Sequence, residues 1–132
     1  MIGLALDGVG AATLPSAPGC RFIALDETAR RCAAADPEID RDFDLDARAA
    51  QLAALDRVVT GDGPIAHLAG ALAVAGDALL PATAPWWWFA GRGDSPWYPS
   101  LVLHRGSTPA GVADTIATAA RESAPRQHRS AA

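Results

Sequence analysis

Short apolar runs alternate along this chain with stretches of helical spacing. Ile2-Gly3-Leu4-Ala5-Leu6 and Arg21-Phe22-Ile23-Ala24-Leu25 have almost no interior polar positions, the pattern of strands covered on both faces. Residues 27–35 read as a helix that Pro37 ends, because proline has no amide hydrogen to continue the ladder. Residues 39–45 alternate apolar and acidic positions, and residues 46–55 return to helical spacing. Arg57-Val58-Val59-Thr60 is a β-branched strand closed by Gly61-Asp62-Gly63-Pro64, with Asp62 expected as the N-cap of the next helix and Pro64 in its first turn. Ala78-Leu79-Leu80 and Leu101-Val102-Leu103-His104 supply two more strands, and residues 109–121 a final helix. Residues 1–122 thus read as one domain, and residues 123–132 as a polar tail expected to be disordered.

Alternation of this kind predicts an α/β domain, Rossmann-like and doubly wound around a mainly parallel sheet. In the strand order 3-2-1-4-5-6 the ligand crevice opens where strands one and four separate. Two loops meet there: Asp7-Gly8-Val9-Gly10, in which Gly8 and Gly10 let the backbone approach a diphosphate, and Gly61 to Pro64, which opens a helix whose amides could hold a phosphate. The connection from Leu6 to Arg21 holds Pro15 and Pro18 and is barely long enough for a crossover helix, so the first helix is expected to be eroded or irregular.

Composition narrows the function. The 132 residues, 50% hydrophobic, suffice for a single core. A net charge of −4 without any lysine provides no basic stripe, so nucleic acid is not an expected partner. Cys20 and Cys32 read as reduced structural thiols. No metal is expected: the ladder Asp36, Glu38, Asp40, Asp42, Asp44, Asp46 places Leu45 where a calcium loop needs glycine and Gln51 where it needs glutamate. Its alternation with Ile39, Phe43 and Leu45 suits an edge strand with a charged face. Ser95, Ser100 and Ser107 lack a nucleophile-elbow context, and the lysine of a P-loop is missing. The longest apolar run, 65–80, is interrupted by His67 and Asp77, so no membrane span is expected. Met1 to Asp7 lacks the basic and apolar regions of an export signal, which makes the cytoplasm the expected location. Gly91-Arg92-Gly93-Asp94-Ser95-Pro96 spells a hexapeptide that integrins recognise, but in that compartment an integrin is not an expected partner. Arg92 and Asp94 instead read as loop-fixing partners for each other or for backbone.

Two blocks carry a family resemblance. Leu55-Asp56-Arg57-Val58-Val59-Thr60 followed by Asp62-Gly63-Pro64-Ile65-Ala66-His67-Leu68-Ala69-Gly70-Ala71-Leu72 resembles the "L-D, hydrophobic strand, D-T-x-x-x-H-L-A-G-A-L" segment of bacterial glycosyltransferases attached to tetratricopeptide repeats, relatives of the ADP-heptose heptosyltransferases. Pro85-Trp86-Trp87-Trp88-Phe89, Arg92 and Asp94-Ser95-Pro96-Trp97-Tyr98-Pro99-Ser100 look like their "D-W-R-W-L-L-x-R-x-D-S-P-W-Y-P-S" block without a gap. The likeness spans roughly residues 47–121.

The resemblance implies the C-terminal, donor-binding domain of a GT-B glycosyltransferase, inactive alone, whose acceptor-side domain would be supplied separately. It implies a nucleotide-sugar donor held by Gly8, Gly10, Asp62, Gly63 and His67, with no other cofactor; it leaves the catalytic residues unassigned. Gly63 stands where the family has threonine, and the loop from Asp7 to Pro15 lacks the cation of the family's polar loop. Trp86, Trp88 and Trp97 form a candidate platform for an acceptor or an interface. The alternative is a non-catalytic remnant that persists as an interaction or homo-oligomerisation module.

Overall fold

The computed structural model describes residues 1–32, 35–37 and 44–124. Among them, strands β1 (Ile2–Ala5), β2 (Phe22–Ala24), β3 (Ala35–Pro37), β4 (Arg57–Gly61), β5 (Gly76–Leu80) and β6 (Leu101–Arg105) form one sheet in the order β3-β2-β1-β4-β5-β6. All neighbouring strands are parallel. Helices α1 (Glu27–Arg30) and α4 (Pro109–Ser123) pack on one face, and α2 (Leu45–Ala53) and α3 (Pro64–Ala71) on the other. This is the Rossmann-like parallel α/β arrangement that the alternating pattern predicts. Strand register divides the core: Leu4 and Val59 are partners on the α1/α4 face, while Gly3 and Val58 are partners on the α2/α3 face.

Three expectations change. The helix predicted over 27–35 closes at Arg30, and residues 35–37 pair with β2 as an edge strand, where Pro37 sacrifices no internal ladder bond. Leu45, placed at the end of an alternating strand, begins α2, with the Asp44 carboxylate accepting from Asp46 N; residues 38–43 lie outside the described residues. Ser123, placed in the tail, ends α4, and residues 125–132 also lie outside.

The connection from β1 to β2 contains no helix, as its prolines suggest. Val9, Ala12, Leu14, Ala17 and Cys20 pack from this irregular segment onto the core that a helix would otherwise cover. The connection from β5 to β6 is also irregular, apart from a 3-10 turn at Trp86–Trp88, and Trp88 seals Ala78, Leu80, Leu101 and Leu103 beneath it. Its GRGDSP stretch runs back along the edge: Leu103 N donates to Gly93 O at 2.8 Å, and Asp94 bridges antiparallel to Val102. The guanidinium of Arg92 forks onto Asp94, both bonds 2.9 Å. The expected pairing of these two residues is therefore present, and the outer edge of β6 is covered at Val102 and Leu103. Both cysteines are free thiols. Among the described residues, no helix is long and apolar enough to cross a membrane.

A charged cluster ties strands β4 to β6. Asp77 on β5 receives Arg57 Nε of β4 at 2.7 Å and lies 2.8 Å from His104 Nε2 of β6, while Arg57 Nη1 reaches Glu122 of α4 at 3.0 Å. Burial raises the Asp77 pKa, but the bonds from His104 and Arg57, with the Arg57 charge, outweigh it and hold the carboxyl below its ordinary value. The contribution of Asp77 to stability is therefore complete above about pH 4 and is lost as pH falls through the depressed folded value. Asp77→Asn should weaken this acid-side dependence in pH-resolved urea denaturation. Asp77→Ala should cost about 3 kcal/mol, since Arg57 would be left largely buried without its main partner.

Candidate functional site

The site follows from the topology. β1 and β4 are neighbours whose chains leave in opposite directions, to β2 on one side and β5 on the other, so their carboxyl ends open a crevice. Gly61 lets the two loops close on each other: a Cβ there would lie 2.8 Å from Val9 Cγ2 and 2.9 Å from Asp7 O. Around this contact lie two cavities. The larger, about 510 Å³, is lined by Asp7, Gly8, Asp62, the end of β5 and Gly106-Ser107; the smaller, about 150 Å³, by Asp7, Asp26, Asp62 and the start of α3.

Asp62 is not the helix cap expected of it. Gly63 occupies the N-cap, with Pro64 at the first helical position and no side chain bonded to the helix start. Asp62 Oδ1 instead accepts the Trp88 indole N–H at 2.8 Å. His67 lines neither cavity. One turn into α3, it stacks on Trp88 with ring centroids 5.1 Å apart, and its Nδ1 meets the Tyr98 hydroxyl at 2.9 Å. Tyr98 in turn lies over Gly70, where any added side-chain carbon would strike its ring. His67 is thus joined to Asp62 through Trp88, on the interior side of the site. Gly8 lines the crevice with φ of 78°, whereas Gly10, at 110°, lies outside both cavities.

Two carboxylates join the site that were not among the expected binding residues. Asp7 Oδ1 accepts from Thr28 Oγ1 at 2.6 Å, and Asp7 N donates to Asp26 Oδ2 at 2.8 Å. Asp26 also caps α1, accepting from Ala29 N at 2.7 Å. Burial raises the Asp26 pKa, the Asp7 charge adds to this, and the amide donors oppose it. An acidic residue just after β2, facing the β1 loop, was the available signal for Asp26. No lysine, arginine or histidine lines either cavity. Hydroxyl groups would find acceptors here, and an anion would find no cationic side chain, only neutral donors: backbone amides, the start of α3 and the Ser107 hydroxyl. Among the described residues no group of side chains is arranged to hold a metal ion.

The three tryptophans of the candidate platform separate. Trp86 and Trp97 are exposed, but Trp88 has no accessible surface and cannot be part of any platform.

No family model matches the chain, and neither a curated protein nor a solved structure matches it. What stands is the fold.

The Trp88 bond to Asp62 is open to test. Trp88→Phe removes both the indole N–H and part of a fully buried ring, and should cost about 2 kcal/mol or more in chemical denaturation; the share due to the bond is the part of that cost that disappears when Asp62 is also replaced by alanine.

Proposed function

We propose that this domain binds a nucleotide sugar as the donor-side half of a GT-B glycosyltransferase, completed by an acceptor domain. The observation that carries the reading is the meeting of the Gly8 loop with the Asp62-Gly63-Pro64 turn at the switch point, because the segment resembling the glycosyltransferases supplies that turn. The donor diphosphate lies against the open start of α3 and the backbone of Gly8, and sugar hydroxyls donate to Asp7 and Asp62. Transfer proceeds by direct displacement at the sugar carbon: the acceptor hydroxyl gives its proton to a base of the acceptor domain, and its oxygen forms the new bond as the bond to the nucleoside diphosphate breaks. The amides stabilise the departing oxyanion. Gly10 and His67 act at one remove, Gly10 in the loop that carries Gly8 and His67 beneath Asp62.

The cation-free walls favour a second reading, a non-catalytic module that acts through a protein surface. Calorimetric titration with ADP-, UDP- and GDP-sugars separates the two. Donor binding predicts saturable heat with at least one of them, and no heat with any would overturn it. Gly63→Asp provides the control: open space surrounds the new Cβ, and the added cap should roughly offset repulsion from Asp7, Asp26 and Asp62 and leave the chain folded, which its Tm checks, while its charge abolishes diphosphate binding.

A further inference from the structure

We propose that the pocket beside the tryptophan turn holds a planar heteroaromatic ring, the base of a nucleoside, whose hydroxyl-bearing part extends into the crevice. The pocket is about 600 Å³, within the usual range for small-molecule sites, with Trp86 and Phe89 as aromatic walls and Arg105 beside them. It adjoins the crevice: Ala82 lines both, and the consecutive residues Arg105 and Gly106 stand one in each. A single extended ligand can therefore occupy the two.

The aromatic groups are held outward. Trp86 is 77% exposed, Trp97 58% and Phe89 40%, although core lies directly beneath the turn. Phe89 adopts φ of 56°, a left-handed conformation unfavourable for a residue with a Cβ and one of the strained states that cluster at functional sites. Arg105 fixes the turn by donating to Trp88 O at 2.6 Å and Arg92 O at 3.0 Å. Trp97 donates from its indole to Trp87 O at 3.1 Å and sets its ring 6.1 Å from that of Phe89. These bonds organise the aromatic surface before any ligand arrives.

The lining chemistry selects the occupant. No carboxylate or carboxamide borders the pocket, so a sugar would find few acceptors for its hydroxyls. Two aromatic side chains, Trp86 and Phe89, with Arg105 beside them suit a flat, polarisable heterocycle. The polar requirement is met next door, where Asp7 and Asp62 line the crevice. The inference deepens the donor-site reading and rests on it for the part of the ligand beyond the base.

Adenosine, uridine and methyl α-glucoside, titrated into the full chain by tryptophan fluorescence and calorimetry, test it. A nucleoside should bind saturably and quench fluorescence, and the glucoside should not. Trp86→Ala and Phe89→Gly should each weaken nucleoside binding by about tenfold, the scale of one lost base–aromatic stack. Glycine accepts the φ of Phe89, so Phe89→Gly removes the ring with the turn retained; an unchanged Tm identifies the loss as one of binding. Binding of neither nucleoside, or equal binding to the parent chain and both variants, would overturn the proposal. So would a dimer in light scattering that Trp86→Ala dissolves, because the surface would then belong to a second copy. Nucleotide-sugar binding unaffected by Trp86→Ala would remove this pocket but preserve the crevice reading. Nucleoside binding that survives in Gly63→Asp would preserve the pocket independently of the diphosphate site.

Discussion

The bond from the Trp88 indole to Asp62 is the constraint from which the site takes its shape. The connection between β5 and β6 has no helix with which to cover the sheet. Trp88 supplies that cover with a single side chain of zero accessibility, and its N–H needs an acceptor once buried. Asp62 provides one at the carboxyl end of β4. The carboxylate on the wall of the crevice is thus fixed by the largest fully buried side chain of the core. His67 stacks beneath Trp88, Tyr98 bonds His67, and Gly70 leaves room for Tyr98, so α3 and an irregular connection are joined as one unit.

The first connection solves the same problem differently. Its segment between β1 and β2 covers the sheet with scattered apolar residues, a weaker means than a helix of fixing the loop that carries Gly8. Two side-chain anchors compensate: Asp7 takes the Thr28 hydroxyl, and Asp26 takes the Asp7 amide. Both anchors are carboxylates, so the bonds that fix the loop also make the crevice acidic. The walls offer acceptors for hydroxyls, while an anion would meet neutral donors alone, the Gly8 loop backbone, the start of α3 and the Ser107 hydroxyl.

The strands were legible because a parallel sheet covered on both faces leaves uninterrupted apolar runs, as in Ile2 to Leu6 and Val58-Val59. β3 was not legible: three residues, Ala-Asp-Pro, carry no β-branched signal, and their strand identity comes from pairing with β2. At Asp62-Gly63-Pro64 the local rule was ambiguous only in appearance. A proline at the first helical position assigns the cap to the residue before it, Gly63, and frees Asp62 for a partner 26 residues away. His67 shows the limit of periodicity, which places it on α3 but is blind to Tyr98, 31 residues along the chain. The crevice could be located from strand order, but its acidity depended on side-chain contacts that spacing does not encode.

The GRGDSP stretch is accounted for by the edge it protects. β6 is the last strand, and an open row of amides and carbonyls invites pairing with another chain. The Gly93 carbonyl occupies the Leu103 amide, and the Asp94 backbone continues along Val102. Arg92 lowers the Asp94 pKa by its hydrogen bonds and charge, and the fork links the two side chains on the solvent side of the turn. Ser95, buried beside them, accepts from the amides of Trp97 and Tyr98 and bends the chain back toward α3. Each polar residue of the stretch therefore has a local partner. The exposed rings on either side, Phe89 and Trp97, are set by bonds of their own: the Trp97 indole donates to Trp87 O and holds its ring 6.1 Å from that of Phe89.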